Sequence, residues 1–167
     1  LCKQYTSKGV RVYGLDLGET CNHEFVDEYY KIDLNGVSKN EKYREQCFQL
    51  LSKLDIDTLI NNAACQLLGD IDTFDASDWE QTLNVNLSAP FYLVQGCLVS
   101  LEKNNGVVVN VGSIHAGLTK PGFFAYATSK AALVGLTKAL AVELKGRVRV
   151  NAISPAAVNT EMLQAGF

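Results

Sequence analysis

The chain has 167 residues, 47% of them hydrophobic and 20% charged, with 3 Pro, 13 Gly and a mean hydropathy of +0.03. That balance fits one compact, water-borne domain and excludes collagen-like or disordered character. Fifteen Lys and Arg against eighteen Asp and Glu leave a formal charge of −3, scattered rather than blocked into runs. A nucleic-acid or anionic-membrane surface needs a basic face and is therefore not expected.

No stretch approaches the roughly 18 uninterrupted apolar residues of a membrane helix; Phe91 to Leu101 is broken by Gln95, Gly96 and Ser100. The start, Leu1-Cys2-Lys3-Gln4-Tyr5, has neither an initiator Met nor a signal pattern and reads as the tail of an earlier element. Five cysteines (Cys2, Cys21, Cys47, Cys65, Cys97) are odd in number and lack a Cys-x-x-Cys pair. Reduced thiols in a cytoplasmic setting are expected over a disulfide framework or a zinc site. His23 and His115 lie far apart, so no metal site is expected.

In chain order, Val10 to Leu15 reads as a strand ending at Asp16, and Tyr29 to Asp33 as a shorter one. Val37 to Leu54 has helical periodicity. Ile56 to Ile60 is an apolar strand that stops at Asn61-Asn62-Ala63-Ala64. Ser77-Asp78-Trp79-Glu80 fits a capping box opening a helix that runs to about Glu102. Val107 to Val111 is a third long apolar run, Phe124 to Lys145 a helix, and Val148 to Ile153 the last strand.

Runs such as Val107-Val108-Val109 do not alternate with polar residues, so helices must cover both sheet faces. The pattern predicts an α/β fold with a doubly wound, Rossmann-like parallel sheet in a single domain. Ligands in such sheets sit beyond the carboxyl ends of the strands. The candidate positions are therefore Asp16, Asp33, Asn61 to Ala64, Gly112 to His115 and Ser154 to Thr160, a set that includes Pro155.

Tyr126 and Lys130 are four apart on a helix and share one face. Ser113 follows a buried strand where ligand contacts are expected. A phenol titrates near pH ~10, so acid/base work at neutral pH needs a cation nearby, which Lys130 is placed to supply. In the plain structural reading, Ser113 satisfies a strand end and Tyr126 is an amphipathic core residue.

Five segments then resemble, in order and spacing, the motifs of the short-chain dehydrogenase/reductase family. They are Asn61-Asn62-Ala63-Ala64, Asn84-Val85-Asn86, Val109-Asn110-Val111-Gly112-Ser113, Tyr126-Ala127-Thr128-Ser129-Lys130 and Arg149-Val150-Asn151-Ala152-Ile153-Ser154-Pro155. The resemblance implies an oxidoreductase that interconverts an alcohol and a ketone with NAD(H). It implies Tyr126 as the acid/base, Lys130 as the group that lowers its pKa and holds the nicotinamide ribose, and Ser113 as the group orienting the substrate oxygen. Asn86 is implied as the fourth member of a proton relay. Asp33 resembles the residue near the adenine amino group, Ala63 and Ala64 leave room for the cofactor, and Thr160 resembles the threonine on the carboxamide. A homodimer or homotetramer follows by the same analogy. The alternative is a non-catalytic chain that keeps the fold as a binding or assembly module.

Pro90 adds a residue-level argument for Asn86. Lacking an N–H, it deprives the Asn86 carbonyl of its helical donor and frees it for a relay water, unless the proline only kinks the helix. Asp16 suits a carboxylate that binds the adenosine ribose and repels a 2′-phosphate, which favours NAD over NADP; otherwise it ends a strand in a turn. Two departures from the family pattern stand out. Ala156 follows Pro155 where glycine is usual, a restriction if positive φ is needed. The family's first strand and its glycine-rich loop do not occur in these residues, so the chain is expected to be a fragment of a longer enzyme, or its outer strands to shift and close the gap.

Overall fold

The computed structural model describes residues 1–19 and 24–156. Helix α1 (Cys2–Thr6) precedes strand β1 (Tyr13–Asp16), which pairs in parallel with β2 (Glu28–Lys31). Helices α2 (Leu34–Lys39) and α3 (Glu41–Leu51) lead to β3 (Thr58–Asn61). Helix α4 (Ala76–Leu83), a π-helical turn (Asn84–Ser88) and α5 (Ala89–Lys103) connect β3 to β4 (Val107–Val111). A short 3-10 turn (Ile114–Ala116) and helix α6 (Phe124–Glu143) connect β4 to β5 (Arg149–Ile153).

Strands β3, β4 and β5 form a parallel sheet with β4 in the middle, and β1 and β2 form a second parallel pair. The expected α/β class with parallel strands and intervening helices is what the molecule adopts. The outer strands do not close the gap, because β1 and β3 share no ladder among the described residues. One core nonetheless spans both sheets: Leu93, Leu101, Val108 and Val150 are buried together, with Leu15 and Tyr30 packed against them. Burying each such side chain contributes about 1.5–3 kcal/mol, which offsets the separation of the ladders.

Several boundaries differ from the sequence reading for local reasons. The helix expected over Val37–Leu54 is two helices, because Asn40 is extended (φ −117, ψ 110) and its side chain caps α3 by accepting the Tyr43 N–H at 3.0 Å. The capping box at Ser77 is not formed. Asp75 is the N-cap of α4, with Oδ1 accepting both the N–H and the hydroxyl of Ser77 at 2.7 Å, while Glu80 pairs with Lys39 at 3.2 Å. A carboxylate at a helix N-terminus outcompetes a hydroxyl two residues later.

The single helix expected to run to Glu102 is interrupted where Pro90 withholds its N–H. The chain widens into the π-helical turn, in which the Ala89 N–H donates to the Asn84 carbonyl. Strand β1 starts later than expected and includes Asp16, and β2 ends at Lys31, leaving Asp33 to cap α2. Ala156 carries no strain: Asn105 (φ 49) is the one non-glycine residue with positive φ among the described residues.

Candidate active site

The loops beyond β4 and β5 meet at the carboxyl edge of the larger sheet. Gly112 N–H donates to the Ile153 carbonyl at 2.7 Å, and Ile114 N–H to the Pro155 carbonyl at 3.1 Å. The approach is so close that a Cβ on Gly112 would stand 2.9 Å from Ser154 Oγ and 3.1 Å from the Ile153 carbonyl oxygen. Pro155 thus braces the segment that carries Ser113. Ser113 is extended (φ −161), buried, and caps the 3-10 turn by accepting the His115 N–H at 3.2 Å.

Helix α6 brings Tyr126 and Lys130 to this segment, both buried on one face. The Tyr126 phenol and the Ser113 side chain are buried together at this edge, and Ser113 acts on the phenol as a polar neighbour. Burial raises the phenol pKa, and the polar Ser113 side chain opposes that rise. Lys130 stands with its Nζ 5.7 Å from the Tyr126 ring centroid, but the ammonium donates to the Val111 carbonyl at 2.8 Å. Desolvation lowers its pKa to about 8. The lowering of the phenol pKa expected from Lys130 is therefore not seen in this structure: with Nζ turned to Val111, burial dominates and the phenol stays protonated at neutral pH.

Asn86 is 1% exposed, and its side chain is fully engaged. Its Oδ1 accepts the Cys65 N–H at 2.7 Å, and its Nδ2 donates to the Cys65 carbonyl at 2.8 Å and to Ser129 Oγ at 2.9 Å. Ser129 in turn donates to the Tyr126 carbonyl at 2.7 Å. The amide in an apolar run has thus found partners, and they lead to the backbone of Tyr126. Ser129 was not singled out from the sequence, although a serine on the buried face shared by Tyr126, Lys130 and Leu133 is a legible signal. His115, expected with the 117–123 loop either to border the cleft or to pack the loop, has its ring stacked on Phe123 (4.6 Å between centroids) and meeting Tyr126 edge-on at 6.1 Å.

The other candidates are dispersed. Asp16 is exposed at the end of β1, with Oδ1 accepting the Leu17 N–H at 2.6 Å. Its register partner on β2 is Lys31, a basic residue that the Leu17–Asn22 segment alone does not reveal, but that ammonium pairs with Glu19. Asp33 spends Oδ1 on the Asn35 N–H at 2.9 Å as the N-cap of α2. Asn61 is 7% exposed, and its Oδ1 is buried without a hydrogen-bond partner. Ala63 is exposed beyond β3. Thr160 lies outside the described residues. Cys2, Cys47, Cys65 and Cys97 are free thiols, and no metal-ligating cluster occurs among the described residues. No described helix is long and apolar enough to cross a membrane.

Parallel strands with helices between them, and a tyrosine, a serine and a lysine gathered at one carboxyl edge, define a Rossmann-like α/β protein. The family model described as short chain dehydrogenase matches residues 1–166, and the chain belongs to that family. The human dehydrogenase/reductase SDR family member 4 is 42% identical over 108 residues, 63% of this chain and 39% of that one. The 2,3-dihydro-2,3-dihydroxybenzoate dehydrogenase of Escherichia coli K12 is 31% identical over 163 residues, 95% of this chain and 63% of that one. A solved structure of a 4-hydroxyisoleucine dehydrogenase mutant complexed with NADH and succinate superposes with a TM-score of 0.86 at 30% identity, covering 99% of this chain and 71% of that chain. The chain spans about half the length of the curated relatives it matches.

Proposed function

We propose that this chain carries the catalytic centre of an oxidoreductase that interconverts a secondary alcohol and a ketone with NAD(H), Tyr126 acting as general acid/base. The observation that carries the reading is the burial of Ser113, Tyr126 and Lys130 together at one carboxyl edge, with Lys130 Nζ 5.7 Å from the Tyr126 ring centroid. In the reducing direction Tyr126 gives its proton to the substrate oxygen while Ser113 orients that oxygen. Lys130, turned from Val111 towards the phenol, stabilises the phenolate that remains. The cofactor, when bound, supplies or accepts the hydride.

The residues fit such a group. Asp16 offers an exposed carboxylate to ribose hydroxyls and favours NAD over NADP, Ala63 leaves its backbone open, and Asn61 holds an unpartnered acceptor among the strand ends. Asp33, Pro155 and Thr160 complete the cofactor set in this reading, and Lys130 reaches the nicotinamide ribose. The Asn86 carbonyl, inside the π-helical turn, serves the proton relay. His115 and the loop 117–123 border the substrate. A homodimer or homotetramer is supported by the apolar side chains exposed on α5 and α6, with Val99 81% and Val142 77% accessible. Free cysteines accord with a cytoplasmic setting.

The test is a protein-fluorescence titration with NADH followed by turnover of candidate secondary alcohols by wild type and Tyr126→Phe. Retained NADH binding with at least ~100-fold lower kcat in the variant is expected. Binding without turnover of any alcohol or ketone by the wild type would assign the chain to the binding-module alternative.

A further inference from the structure

Asn110 is the one polar side chain in the strand Val107–Val111, and it is completely buried. A carboxamide taken out of water is unfavourable by about 1–3 kcal/mol unless it is bonded, a cost that a valine here would avoid. Its bonds are specific. Asn61 Nδ2 donates to Asn110 Oδ1 at 2.8 Å, Asn110 Nδ2 donates to Thr137 Oγ1 at 2.8 Å, and Thr137 Oγ1 donates to the Leu133 carbonyl at 2.7 Å. A continuous hydrogen-bond chain therefore runs from the end of β3, across β4, to the middle of α6, and Thr137 is itself buried.

The chain lies directly behind the reacting groups. Asn110 is three residues before Ser113. Thr137 is seven residues after Lys130, two turns along the same helix face. The other polar tie between α6 and the end of β4 is the bond from Lys130 Nζ to the Val111 carbonyl. That tie is made by Lys130, itself one of the proposed reacting groups. The bond between Asn110 and Thr137 involves no reacting group.

We propose that Asn110 and Thr137 are positioning residues: their buried bond fixes the axial register of α6 on β4, and with it the placement of Tyr126 and Lys130 against Ser113. Apolar packing alone lets a helix shift by fractions of an ångström, and misplacement of about 1 Å at a reacting centre can reduce a rate on the order of 100-fold. The role rests on the acid/base assignment of Tyr126 given above, but its first readout does not need turnover.

In this protein, Thr137→Val removes the acceptor while keeping side-chain volume, Thr137→Ser restores it, and Asn110→Ser leaves a side chain too short to span the gap. Titration of Tyr126, followed by NMR of the 13Cζ-labelled tyrosine, is expected to move upward in Thr137→Val and Asn110→Ser, because a displaced Ser113 opposes the effect of burial on the phenol less well. It returns to the wild-type value in Thr137→Ser. On an active substrate, kcat falls about tenfold or more in the first two variants, KM for NADH changes less than about twofold, and Thr137→Ser recovers the rate. A loss of thermal stability with wild-type Tyr126 titration and wild-type kcat would overturn the proposal, as would a Thr137→Ser variant no better than Thr137→Val. If the wild type turns over no alcohol, the acid/base reading fails, while the titration shift still decides the positioning role.

Discussion

Lys130 Nζ donates to the Val111 carbonyl 2.8 Å away, and this single bond holds an ammonium in surroundings dry enough to lower its pKa from 10.5 to about 8. A lysine 2% exposed, its pKa lowered by burial, is kept against the interest of folding. Such a group is retained where a charge is needed at the moment of reaction.

The first expectation follows from that cost. The fall to about 8 corresponds to roughly 3 kcal/mol of desolvation at neutral pH. Lys130→Met removes it and leaves the Val111 carbonyl without a donor, a loss of about 1 kcal/mol. The variant should gain about 1–2 kcal/mol in urea unfolding at pH 7 while losing at least ~100-fold in kcat. A drop in stability would mean that the bond to Val111 outweighs desolvation.

The sign of the pH dependence is fixed by the same shift. Below about pH 8 both folded and unfolded chains carry the charge and the full penalty applies; between about 8 and 10.5 the unfolded chain binds more protons, so this group adds stability as pH rises. Under the proposed mechanism activity runs the other way, because the Lys130 ammonium assigned to stabilise the phenolate is lost through the same window. Thermal melts and initial ketone-reduction rates from pH 7 to 10 should diverge, and the rising component of the melts should vanish in Lys130→Met.

Ser113 is the group that opposes the upward push of burial on Tyr126. Ser113→Ala should raise the phenol pKa further and lower kcat about 100-fold, with NADH affinity unchanged. Ultraviolet difference titration against Tyr126→Phe isolates the phenol from the other tyrosines. An unchanged titration would separate Ser113 from the phenol altogether.

Much of this was legible in the residues. The Val107–Val111 strand was read with its observed bounds, and Ser113, Tyr126 and Lys130 were read as one cluster, because helical spacing and a strand end are local geometry. The breaks at Asn40 and at the π-helical turn were not located, since each depends on which of two neighbouring groups captures a backbone N–H or carbonyl. The direction of the Tyr126 shift was missed for a tertiary reason: spacing shows that Lys130 shares its face, but not that Val111 captures the ammonium. Asn110 and Thr137 were visible as polar residues in apolar runs, yet nothing in the sequence says that they meet.

Gly112 offers a test of how tightly the two loops must meet. A methyl there would stand 2.9 Å from Ser154 Oγ and 3.1 Å from the Ile153 carbonyl oxygen, closer than carbon packing tolerates. Gly112→Ala should destabilise the fold by about 1–3 kcal/mol and lower kcat through displacement of Ser113. Adding Ser154→Ala relieves the nearer contact, so the double variant should recover part of the stability lost, measured by thermal melting.

Asp16 separates a charge role from a turn role within one side chain. Its Oδ1 accepts the Leu17 N–H at 2.6 Å, which a turn residue would do regardless of any cofactor. Asp16→Asn keeps an oxygen for that N–H and removes the charge, whereas Asp16→Ala removes both. If the carboxylate repels a 2′-phosphate, both variants should bind NADPH at least ~10-fold more tightly relative to NADH than the wild type does, and the asparagine should melt like the wild type. Lys31, the register partner of Asp16, already pairs with Glu19, so Glu19→Gln in the asparagine background frees an ammonium for the phosphate and should shift the ratio further. An NADPH-to-NADH ratio unmoved by either substitution at Asp16 would leave that residue a turn acceptor and nothing more.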